Sequence, residues 1–99
     1  MPTTLLNAAT TAATGNVFTG PVGACQATGK TSSGTGAASV VIEVSNDNEI
    51  WLTLGTITLT LGTTNTSDGF AAGASWAMVR ARIASISGTG ASVTVTMSQ

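Results

Sequence analysis

Apolar residues in this chain return at every second position, and nowhere at every third or fourth over the length of a helix. That period confines the chain to extended structure. The clearest case is residues 92–98, where Val93, Val95 and Met97 alternate with Thr94 and Thr96. Residues 39–45 repeat the pattern with Val40, Ile42 and Val44 on one face. Residues 76–83 set Val79, Ala81 and Ile83 against Trp76, Met78, Arg80 and Arg82. Thr, Val, Ile and Ser fill these runs, and such residues suit a pleated surface better than a helix.

The remaining segments fit the same scheme. Residues 22–31 read as a strand of small residues, with Ala24, Gln26, Thr28 and Lys30 on one side and Gly23 and Gly29 disturbing the other. Between Trp51 and Leu61 the apolar set changes phase, from Leu52 and Leu54 to Ile57, Leu59 and Leu61, so a bulge or bend is expected at Gly55. Asn46-Asp47-Asn48 is turn chemistry, with the next strand expected from Ile50. Residues 32–38 and 62–69 read as Gly-rich and polar loops. The pentapeptide Ser33-Gly34-Thr35-Gly36-Ala37 returns as Ser87-Gly88-Thr89-Gly90-Ala91, which predicts two hairpins of one pattern. The expected fold is all-β, a small antiparallel β-sandwich of jelly-roll-like form. Residues 1–20 form a partly extended N-terminal arm and residues 21–99 the β-sandwich domain.

With 99 residues the chain fits one domain, which buries only about 60–68% of its unfolded surface. One cysteine, Cys25, allows no internal disulfide, and the absence of histidine removes the usual zinc sites. Oligomerisation or docking on a larger assembly is therefore the expected source of added stability, a homo-oligomer such as a dimer or trimer included. Only 7% of residues are charged, and Lys30, Arg80 and Arg82 are the only cations. A duplex binder needs clustered cations, so no nucleic-acid partner is expected. The first residues lack the make-up of a signal peptide and no run of 18 apolar residues occurs, so a soluble protein with no membrane partner is expected.

Residues able to run an active site are scarce. Histidine and tyrosine, common proton carriers, are absent. Asp47 and Glu49 lie two positions apart beside Trp51, but glycoside hydrolysis needs two carboxylates facing across a cleft. The run Asn46-Asp47-Asn48-Glu49 offers oxygen ligands of the kind calcium prefers without the rest of a calcium loop. Cys25 has no histidine to activate it and reads as a buried structural cysteine. Gly29-Lys30-Thr31 matches the end of a phosphate-binding loop but lacks its first glycine and its helix. The expectation is a non-enzymatic protein that uses no cofactor and no metal.

Candidates for partner binding are Trp51, Trp76, Arg80 and Arg82, with Leu5 and Leu6 in the arm. An indole offers large area and one donor, and guanidinium groups stack on rings or pair with carboxylates. Pairing of the arginines with Glu43 in the same domain is the alternative. Residues 2–14 read as a segment whose removal leaves the fold intact and weakens assembly.

Val44-Ser45-Asn46-Asp47 leading to Trp51, then Asp68-Gly69-Phe70, Trp76, Val79-Arg80-Ala81-Arg82 and residues 85–91 form a pattern that resembles small β-sandwich virion proteins of tailed bacteriophages. The resemblance covers residues 39–97 and departs at Asn48-Glu49, where a glycine often closes the turn. It implies a virion structural protein made in the host cytoplasm. Since no second module accompanies the domain, it favours a capsid decoration, or cement, protein on the phage head surface, binding the major capsid protein lattice and stabilising the head. The alternative is a carbohydrate- or receptor-binding module of a phage tail or fibre, with Trp51 or Trp76 as stacking platform and Asp47, Asn48 or Asp68 holding sugar hydroxyls.

Overall fold

The computed structural model describes residues 3–12, 14–15, 17–19, 22–74 and 76–98. It contains eight strands: β1 Thr3–Ala9, β2 Phe18–Thr19, β3 Val22–Lys30, β4 Ser33–Ser45, β5 Leu52–Leu61, β6 Thr66–Ala74, β7 Met78–Thr89 and β8 Ser92–Met97. They form two four-stranded sheets, ordered β1-β8-β3-β6 and β2-β7-β4-β5, and every pairing is antiparallel. The chain changes sheet at each connection except the β4–β5 hairpin, and this interleaving is the jelly roll, two Greek keys in one sandwich. β4 alone, 13 residues long, extends about 43 Å at the usual strand rise, which sets the 40 Å long axis of the molecule.

The alternating rows supply the interior. In the β7-β4-β5 layer, Val40 lies between Ile57 and Ile83, Ala38 faces Leu59, Ile42 faces Ala81, and Val44 faces Val79, all of them buried. In the other layer, small residues of β3 oppose large ones of β8: Cys25 beside Met97, Ala27 beside Val95, Gly29 beside Val93. That asymmetry lets side chains from the facing sheet come down onto β3. A Cβ on Gly29 would sit 2.8 Å from Leu61 Cδ2, so glycine there is demanded by the packing of one layer on the other. The bend expected at Gly55 is present. Ile42 pairs with Gly55 and Glu43 with Thr53, leaving Leu54 as the extra residue, and Phe70 of β6 covers the space a Gly55 side chain would fill.

Four expectations change. The pentapeptide copies do not build two hairpins; they lie side by side. Ser33 pairs with Thr89 and Ala37 with Ser87, with three residues of β4 set against Gly88. The Ser87 hydroxyl accepts the Ala37 amide at 3.3 Å. Each copy adjoins a crossing from one sheet to the other, and Gly34, Gly88 and Gly90 take the positive φ values that these bends require. Residues 33–38 are thus strand rather than loop, and the second expected loop shrinks to residues 62–65 because β6 already begins at Thr66. β6 escapes a hydropathy reading because backbone pairing to β3 holds it and Phe70 is its one large apolar residue. The strand after the turn starts at Leu52 rather than Ile50.

The fourth change concerns the N-terminal segment, of which residues 1, 2, 13, 16 and 20 lie outside the described residues. Residues 3–9 form the edge strand β1 along β8, and Leu5 is 3% exposed inside the core. Leu5 is therefore not a partner-binding residue, and the boundary at residue 20 does not separate an arm from the sandwich. Leu6 is half-buried and packed against the core, close to Gly15. The pair Leu5 and Leu6 was the sole apolar signal in a Thr/Ala stretch, too short to mark a core strand by period. Leu5→Ala is expected to lower unfolding free energy by about 2–4 kcal/mol, measured by denaturant titration, and removal of residues 1–14 to cost at least as much. An unchanged midpoint for both variants would contradict the place of β1 in the core.

Candidate functional site

The polar residues that the fold gathers lie on the outer face of β4 and β7 and at the β4–β5 hairpin. Cross-strand pairing sets Glu43 opposite Arg80 and Val41 opposite Arg82. Glu43 thereby sits between two guanidinium groups. Arg80 Nε donates to Glu43 Oε1 at 2.9 Å, and Arg82 Nε lies 3.5 Å from Oε2. The carboxylate is shielded, with its side chain 12% exposed. Arg80 Cζ also lies 4.1 Å from the centroid of the Trp51 ring, a cation–π distance. The sequence left open whether the arginines pair inside the domain or await a partner's carboxylate; in the structure Glu43 receives both.

The hairpin that carries Trp51 is built by Ser45 and Asp47. Ser45 is buried, and its hydroxyl accepts the amides of Asp47 at 3.2 Å and Asn48 at 3.0 Å while donating to Asp47 Oδ1 at 2.9 Å. Asp47 Oδ1 also accepts the amides of Glu49 at 2.9 Å and Ile50 at 3.0 Å. Asn48 takes φ 59°, a left-handed conformation that asparagine tolerates. The Ile50 and Glu49 amides, followed by the Ser45 hydroxyl, hold the Asp47 carboxyl below its ordinary range. Asn46 Oδ1 accepts the Ala77 amide at 3.0 Å and ties this hairpin to the start of β7. Of the oxygens singled out as possible calcium ligands, Asn46 Oδ1 and Asp47 Oδ1 are thus engaged in turn geometry. Among the described residues no three Asp, Glu, Cys or His side chains come together as a metal cluster.

Two apolar side chains at the tip are exposed. Ile50 is 67% exposed and Leu52 is 52% exposed, flanking the half-buried Trp51. Trp76 is half-buried and packed against the core at the same end of the sandwich. Trp51, Arg80 and Arg82 therefore form one site with Glu43, Trp76 stands beside it as a plug, and Leu5 and Leu6 belong to another part of the molecule. The sequence does not single out Ile50 and Leu52, because Leu52 shares the alternation of an inward row; it stands opposite the buried Val44 and is exposed all the same. Asp68, the other candidate for sugar hydroxyls, accepts the Gly69 amide at 2.8 Å.

Cys25 faces the interior, and burial pushes its thiol up to about 11, far from the range in which a thiolate attacks at neutral pH. No cavity opens among the described residues, and no helix is long and apolar enough to cross a membrane.

No protein-family model matches the chain, and no curated protein matches it at a significant level. Among solved structures it is similar to the SPBc2 prophage-derived protein YomS, with a TM-score of 0.60, 17% identity, and coverage of 98% of this chain and 90% of that one. The likeness extends the jelly-roll assignment to nearly the whole of both chains.

Two outcomes test this geometry. Glu43→Ala leaves Arg80 and Arg82 adjacent and unpaired, and is expected to cost about 1–2 kcal/mol, between an exposed and a fully buried pair. It should also raise quencher access to Trp51; unchanged stability and quenching would contradict the site. For Cys25, the folded value of about 11 stands above the reference of 9.0, so the folded state holds the proton more tightly. The stability it contributes is fully present below about pH 9 and is lost as pH rises towards 11. Denaturant midpoints taken from neutral to alkaline pH should fall more steeply in the wild type than in Cys25→Ala, and equal slopes would contradict the burial of the thiol.

Proposed function

We propose that the protein is a non-enzymatic structural component of a bacteriophage virion, a capsid decoration protein that binds the major capsid protein lattice on the head surface as a homo-oligomer. The observation that carries the reading is the hairpin tip. Ile50 and Leu52 stand out in solvent on a turn locked by Ser45 and Asp47, beside a tryptophan backed by Arg80. Apolar side chains held on a rigid protrusion suit insertion into a partner surface, since little side-chain and loop entropy remains to be lost on binding. The prophage origin of a similar fold supports a phage setting, and the sparse charge of the chain fits a surface that is covered when assembled.

The mechanism is added interface. Binding to the assembled shell but not to loose subunits stabilises the shell by mass action, by about 3 kcal/mol per site when free protein exceeds its dissociation constant a hundredfold. The test is co-sedimentation of the purified protein with phage shells that lack decoration. The expected result is saturation at a fixed ratio to capsid subunits. Ile50→Glu and Leu52→Glu, both at exposed positions, should weaken binding at least about tenfold with unchanged melting temperature. Absence of saturable binding, or variants that bind like wild type, would overturn the proposal.

A further inference from the structure

The two sheets present four edges, and three are blunted. β1 is broken by two irregularities in its pairing with β8 and by a left-handed Ala8 with φ 51°. β2 has two residues. β6 carries the charge of Asp68, whose carboxylate takes the Gly69 amide. These are the devices by which sheets avoid pairing with other chains. β5, at the end of the order β2-β7-β4-β5, shows none of them over most of its length. It has ten residues, none charged and none proline. Its bulge is confined to Leu54, and Gly55 to Leu61 pair without interruption to β4 on the inner side. A straight, uncharged edge of this length is a template for another strand.

Its sequence selects the strand. Thr56-Ile57-Thr58-Leu59-Thr60 reads nearly the same in both directions about Thr58. Antiparallel pairing across a two-fold axis at Thr58 sets Thr58 against its own copy, Thr56 against Thr60, and Ile57 against Leu59. Thr56, Thr58 and Thr60 are exposed, so each outer pair is threonine on threonine, a favourable cross-strand pair. Ile57 and Leu59 are buried, so the inner pair is aliphatic on aliphatic. Charge makes the same choice, because the edge offers no counter-charge to a charged strand and self-pairing brings no like charges together.

We infer that β5 is the dimer interface of this protein. Two copies pair edge to edge about Thr58 and join two four-stranded sheets into one continuous sheet. This rests on the oligomer part of the proposed function and requires nothing of the capsid, so its failure leaves capsid binding untouched and failure of capsid binding leaves the dimer standing.

The experiment is sedimentation equilibrium of the full chain at concentrations up to about 0.1 mM. The wild type should be a dimer. Thr58→Lys and Thr58→Glu, which place like charges face to face, should each weaken self-association at least about tenfold, and an equimolar mixture of the two should form a heterodimer. A second pair guards against a misfolded variant: Thr56→Lys should be monomeric, and adding Thr60→Glu to the same chain should restore the dimer. A monomeric wild type, a dimer that persists in both Thr58 variants, or a mixture of those variants that stays monomeric would overturn the inference.

Discussion

The structure depends on one constraint: two sheets must close on each other using side chains that alternate strand by strand, with no disulfide or metal cluster among the described residues to hold them. The small face of β3 makes the closure possible. Cys25, Ala27 and Gly29 leave room beneath the opposite layer, and Leu61 reaches down to Gly29. The β-branched rows of β4 and β7 fill the rest. Because the interior is assembled from both sheets and the chain crosses between them at almost every turn, few elements can be removed without exposing part of it. Buried polar groups follow the same logic. Thr31 bonds the Gly34 carbonyl, Ser45 organises the hairpin, and no buried side-chain polar atom lacks a partner among the described residues.

The repeated pentapeptide shows how that closure is made at one end. Residues alike in sequence meet where β3 passes to β4 and β7 passes to β8. A Cβ on Gly36 would collide with the Ser87 carbonyl oxygen, and one on Gly88 would lie 2.8 Å from Thr31. The glycines are there because two backbones approach closely at a corner, a demand of tertiary structure.

Where the alternation is strong, the sequence predicts both strand and inward face, as for Val40, Ile42 and Val44, for Val79, Ala81 and Ile83, and for Val93, Val95 and Met97. It also places the bend at Gly55. It fails for β1 and β6, which are mostly small and polar residues apart from Leu5, Leu6 and Phe70, because strands held by backbone pairing leave little trace in hydropathy. At the site, the arginines and Trp51 are legible as polar and aromatic residues near one turn. The exposure of Ile50 and Leu52 is not, since Leu52 shares the face of the buried Val44 and alternation gives the face of a side chain, not its depth. The tight pairing of Arg80 and Arg82 with Glu43 rests on cross-strand register, which no single strand reveals.

Two of the three cations share the carboxylate of Glu43, and among the described residues the exposed large apolar side chains are Ile50 and Leu52 at the hairpin and Val17. On the proposed function, such a surface binds by shape and apolar contact more than by charge. Hydrogen exchange of the protein, free and bound to undecorated phage shells, tests this most directly. Slowed exchange is expected at residues 46–52 on binding, with β8 unchanged because its amides are already protected in the free fold. Protection confined to other parts of the molecule, or no change at the hairpin in a bound sample, would contradict it.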